Sequence, residues 1–149
     1  DLLWGQVDML SAVLEIYEED KMGLSATEYI QQTNRKIATL KKLAVLSKKI
    51  ESKADRDLEL YNINEALAEH YFHKGAYKEA SVYYSSCISN YTNLLSSEYA
   101  YDDDIRKAGQ KAYYWMGYTA YKQGDTTIAN HYFNKARNIL NDNLIQPYK

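Results

Sequence analysis

The sequence predicts an all-α protein of about six helices, arranged as antiparallel helix-turn-helix units. Three observations carry the prediction. The only proline is Pro147, at the extreme end, so long stretches run without a helix breaker. Apolar residues recur every three or four positions through most of the chain. Finally, Tyr113–Ala136, YYWMGYTAYKQGDTTIANHYFNKA, echoes Asn64–Cys87, NEALAEHYFHKGAYKEASVYYSSC. Superposed, Ala68 falls on Gly117, Gly75 on Gly124, Ala80 on Ala129, Tyr84 on Phe133 and Cys87 on Ala136. Each copy reads as a helix, a tight turn at the glycine and a second helix.

Taken in order, Asp1 to about Glu19 places Leu3, Val7, Leu10, Val13, Leu14 and Tyr17 at helical spacing. Glu18, Glu19 and Asp20 crowd its C-terminal end, where the helix dipole disfavours acids. Met22-Gly23-Leu24 breaks the chain, and Ser25 with Glu28 forms a capping box for a second helix, about Ala26 to Ser52. Ile30, Ile37, Leu40, Leu43, Ala44, Leu46 and Ile50 make its apolar side. Arg35, Lys36, Lys41, Lys42, Lys48 and Lys49 lie opposite. This basic face could meet a nucleic-acid backbone or an anionic surface, but a solvated outer face is the default reading, and no aromatic residue is interleaved to stack on bases.

Glu51 to Arg56 is the expected boundary between residues 1–56, a helical pair, and residues 57–149, the two copies. Asp55 or Asp57 is placed to cap a third helix that runs to about Lys74. A fourth helix runs from about Tyr77 to Leu94. Asp102-Asp103-Asp104 lacks the alternating ligands and glycine of a calcium loop and suits the positive start of a fifth helix, about Ile105 to Gln123. Gly124-Asp125 turns the chain, Asp125 caps the sixth helix, and Asn141-Asp142-Asn143 ends it.

Composition bounds the function. At 149 residues, with 46% hydrophobic and 26% charged, the chain is long and apolar enough to bury a core and is not of disordered type. Its net charge of −2 exerts no global pull on nucleic acid or anionic lipid, and no apolar run approaches a membrane span. The single cysteine, Cys87, excludes an internal disulfide framework and reads as a packing thiol. The chain starts at Asp1 with neither an initiator methionine nor a signal-peptide pattern, so it is expected to be a piece of a longer or processed protein. Sixteen tyrosines against two phenylalanines point to half-buried aromatic surface with polar tips.

The small and aromatic residues around the two turns resemble the tetratricopeptide repeat. Ala68, Ala80, Gly117, Ala129 and Ala136 stand where two helix backbones approach, and Gly75 and Gly124 where the chain turns. Both copies are degenerate. The first-helix tyrosine is Tyr71 in one copy and Ala120 in the other. The aromatic after the turn is Tyr77 in one and Thr126 in the other, and the closing proline is missing at Thr92 and Asn141. The glycines lie 49 positions apart, against a family period of about 34, so longer helices and a longer connection are both expected. The copies then span about residues 61–94 and 110–143, and the N-terminal pair stacks as a non-consensus repeat or cap.

The resemblance implies a TPR-like α-solenoid whose first helices line a concave, partner-binding groove. Carried over by alignment, the groove positions are Asn62, Glu65, Glu69, Phe72 and His73, and Lys111, Tyr114, Tyr118, Tyr121 and Lys122. The tyrosines at helical spacing suit a groove or a core equally. Glu65, Glu69, Tyr114 and Tyr118 replace the cationic clamp of the chaperone-binding branch, which argues against recognition of an acidic chaperone tail. The expected role is a non-catalytic scaffold for a protein or peptide segment. The alternatives are the signalling-peptide sensor of a larger bacterial regulator, or a self-association module. His70, His73 and Glu69 offer a thin metal set with no second cluster, and no nucleotide, metalloprotease or nucleophile-elbow motif occurs. No cofactor and no enzymatic activity are expected.

Overall fold

The computed structural model describes residues 4–9 and 26–145. Among them every regular element is helical. The chain divides into two compact units, residues 1–49 and 50–149.

The first unit contains helix α1, residues 4–9, and helix α2, Ala26–Ser47. Val7 is buried in α1. Ile37, Leu40, Leu43 and Ser47 make the buried edge of α2, at the three- and four-residue spacing expected of one helix face. Ile30 and Leu46, counted with the apolar side in the sequence, are exposed. Five of the six basic residues are exposed and Lys36 is half-buried. The rest of the first predicted helix and the Met22–Ser25 break and cap lie outside the described residues.

Helix α2 ends at Ser47, five residues before its predicted end. Lys49 N–H turns back onto the Leu46 carbonyl (3.1 Å). Ser52 is committed elsewhere: in extended conformation (φ −69°, ψ 120°) it caps the next helix and accepts from Asp55 N–H. A residue with that backbone cannot continue α2. The cap is therefore Ser52, in place of Asp55 or Asp57.

The second unit holds α3 (Lys53–His73), α4 (Tyr77–Leu94), α5 (Asp103–Lys122) and α6 (Thr126–Ile145). They form two antiparallel helix-turn-helix units, with α4 packed against both α3 and α5 and α6 against α5. The two turns share one backbone conformation. Gly75 and Gly124 adopt φ of +82° and +86°, a region that a Cβ would strain. Around each, two amides close the preceding helix: Gly75 and Ala76 donate to Phe72 and Tyr71, and Gly124 and Asp125 to Tyr121 and Ala120. Asp125 then caps α6 by accepting from Ile128 N–H at 3.0 Å, as its position in the sequence predicts. Asp102 caps α5 by accepting from Asp104 N–H.

The long period is taken up by helices of 18 to 21 residues and by a connection from Leu95 to Asp102. Tyr99 folds that connection back by donating its hydroxyl to Asp55 on α3 (2.6 Å). Helix α6 runs through Asn141-Asp142-Asn143 to Ile145. Asparagine and aspartate are only mildly unfavourable inside a helix, so this run does not stop one.

Packing follows the small residues. Ala68, Ala80, Ala129 and Ala136 are all buried, and so is Cys87. One cluster gathers Tyr61, Cys87, Tyr91, Leu94, Ile105 and Ala112 from α3, α4 and α5. Another gathers Ala68, Phe72, Ala80 and Tyr84, covered by Trp115, Met116 and Tyr118 of α5. Helix α5 thus closes the groove between α3 and α4.

Candidate partner-binding surface

Side chains at 111, 114, 118 and 121 emerge on one side of α5 because the helix returns to the same direction every three or four residues. The tyrosines make a ladder there. Tyr114 and Tyr118 stack with centroids 6.4 Å apart and planes 8° apart, and Tyr118 and Tyr121 follow at 6.2 Å and 23°. Tyr114 and Tyr121 are 48% and 56% exposed, so two of the three are surface residues. Tyr118, half-buried, is the anchored rung. Its ring lies 5.4 Å from Phe72 on α3 and edge-on to Trp115 at 5.8 Å, and Lys122 Nζ stands 5.3 Å from its centroid.

The opposing positions on α3 do not all share this surface. Phe72 is a core residue: it is buried and packs against Tyr77, Trp115 and Tyr118, so it supports the ladder from beneath and is not open to a partner. Its place near the end of α3, under α5, accounts for the difference, since Trp115, Met116 and Tyr118 of α5 cover this part of α3 and α4. Asn62 and His73 are exposed, and Glu65 and Glu69 half-buried. Lys111 reaches across from α5 to Glu65 (3.4 Å) and Glu69 (3.7 Å). Such partly exposed pairs contribute little stability, but they fix where the lysine points. Beneath them Tyr61 donates its hydroxyl to the Ala108 carbonyl at 2.7 Å, joining α3 to α5. The structure therefore brings Glu65, Glu69 and Lys111 together, and separately Tyr114, Tyr118, Tyr121 and Lys122.

A second feature was not read in the sequence. A groove of about 530 Å³ opens between α5 and α6, lined by Lys107, Gln110, Lys111 and Tyr114 on one side and Asn130, Phe133, Ala136 and Arg137 on the other. It adjoins the tyrosine ladder at Tyr114, whose ring tilts against Phe133 at 5.6 Å. The available signal was Lys107 and Lys111, four apart on one face of α5; the share contributed by α6 depends on how the helices pack.

Cys87 is buried, donates to the Tyr61 carbonyl (3.7 Å), and is pushed to a higher pKa by burial first and by Glu65 and Glu69 next. Its thiol is protonated and inaccessible, the opposite of a nucleophile's setting. Among the described residues no three histidine, cysteine or acidic side chains gather as a metal site, and no helix is long and apolar enough to cross a membrane.

No protein-family model matches the chain, and no curated protein or solved structure does.

Proposed function

We propose that the chain is a non-catalytic interaction module, a tetratricopeptide-like scaffold that holds a segment of a partner protein along the tyrosine ladder of α5. The carrying observation is the ladder itself: Tyr114 and Tyr121 offer open ring surface, while Phe72 and Trp115 hold Tyr118 between them. Rigid aromatic rings lose little conformational freedom on binding, and their hydroxyls add hydrogen bonds at the rim. Lys122 and Lys111 flank the ladder and supply charge at its two ends.

The test is capture of partners from lysate of the source cell by the wild type and by a Tyr114→Ala/Tyr118→Ala variant. A partner held by wild type and released by a variant of unchanged helicity supports the reading. Equal retention by both proteins removes the ladder from binding.

A further inference from the structure

The groove between α5 and α6 has an internal counterpart. Moving back 49 positions turns Lys107, Gln110, Phe133, Ala136 and Arg137 into Leu58, Tyr61, Tyr84, Cys87 and Ile88. Those five residues line the equivalent face of α3 and α4, and there the groove is filled by a helix. Tyr61 and Cys87 share a cluster with Ile105 and Ala112 of α5, and Leu58, Ile88 and Ala108 pack against it. Trp115 of α5 lies parallel to the Tyr84 ring, which is 2% exposed. Between α5 and α6, Phe133, the counterpart of Tyr84 in this register, is only half-buried, and Lys107 and Arg137 are exposed. The chain thus repeats the dock but changes its chemistry: the apolar Leu58 and Ile88 become two cations.

We propose that this groove seats an amphipathic helix of a partner protein whose docking face carries carboxylates, in the position that α5 takes against α3 and α4. Shape specifies a helix, because the same arrangement of residues receives one within this chain. Charge specifies acids. Among the described residues that line the groove, Lys107, Lys111 and Arg137 are cationic and none is acidic. Lys111 is shared with Glu65 and Glu69, whereas Arg137 is held by the neutral Asn134 side chain. Phe133 and Ala136 provide the apolar floor, and the cations at the rim discriminate against basic helices more than they add affinity. The groove shares Tyr114 and Lys111 with the ladder but rests on a different observation, and Lys107 and Arg137 lie off the ladder.

The probe is a labelled synthetic peptide of the α5 sequence, residues 103–122, with Ile105 and Ala108 replaced by glutamate, compared with the same peptide bearing lysine there. These two positions share a cluster with Leu58 and Ile88, the equivalents of Lys107 and Arg137 in the 49-residue register. Fluorescence anisotropy on the intact chain is expected to show the glutamate peptide binding at least about tenfold more tightly than the lysine peptide. Lys107→Glu/Arg137→Glu, two exposed changes checked for unchanged helicity, should reverse that order. Absence of binding by the glutamate peptide, equal binding of the two, or an order unaffected by the charge reversal overturns the proposal. A Tyr118→Ala protein should keep the preference, which separates this groove from the ladder.

Discussion

Gly117 leaves the room that the Phe133 ring takes: a Cβ added to Gly117 would stand 2.8 Å from the ring and 3.0 Å from the Ala129 carbonyl oxygen. The absence of a side chain is what lets α5 and α6 close on each other. Gly117→Ala gains helix propensity worth about 1 kcal/mol, but it pushes against an aromatic ring and a backbone oxygen at once. Overpacking of this kind costs about 1–3 kcal/mol, so the variant is expected to be less stable in urea despite its better helix former. A midpoint at or above the wild type's would mean that the two helices separate freely.

A second expectation concerns polar groups between α3 and α4. Asp57 accepts from the side-chain amides of Asn90 (3.0 Å) and Asn93 (3.3 Å), and Asn90 accepts in turn from Asn64 (2.9 Å). Asp57 and Asn90 are both buried, so the carboxylate and the amide depend on each other for the bonds that water would supply. Asp57→Ala leaves the Asn90 amide without its acceptor and is expected to cost about 1–3 kcal/mol in a urea titration. Asp57→Asn keeps an oxygen in place and should cost less. Equal stability of wild type and Asp57→Ala would show that the network does not hold α4 to α3.

Much of this arrangement was legible in the residues. Gly75, Gly124 and Asp125 announced their turns because their backbone requirements are local: a positive φ and a short acceptor at a helix start. Ala68, Ala80 and Ala129 announced close packing by their size. Asp57 did not announce itself, since a carboxylate near a helix start serves equally as a cap or as a buried acceptor, and only the position of Asn90 on another helix decides. Gly109 was silent for the same reason: its role is to admit the Tyr91 ring of α4, which would stand 2.3 Å from an added Cβ. Phe72 was placed on the surface by alignment, yet which side of α3 is covered depends on where α5 lies. The cationic groove needed both the 49-residue register and the packing of α6.

The last prediction follows from three buried acids. Burial, first of all, raises the pKa values of the Cys87 thiol and the Tyr61 and Tyr84 phenols above their ordinary 9.0 and 10.0, and neighbouring Glu65 and Glu69 raise them further. The folded protein therefore keeps these groups neutral at pH values where the unfolded chain has released their protons. The unfolded state then binds fewer protons, so stability is full below about pH 9 and falls as pH rises. The limiting slope is about 1.4 kcal/mol per pH unit for each group, beginning with the thiol and joined by the phenols above about pH 10. Urea titrations from pH 7 to 10.5 should show this decline, and Cys87→Ala should flatten its first part, between about pH 9 and 10. Because Cys87 is the chain's only cysteine, a thiol reagent reports on it alone. Its labelling should be slow in the native protein and accelerate with denaturant in step with unfolding. A thiol that reacts at the rate of an unfolded peptide, or a Cys87→Ala profile identical to the wild type's, would place Cys87 outside the closed α3–α4–α5 core.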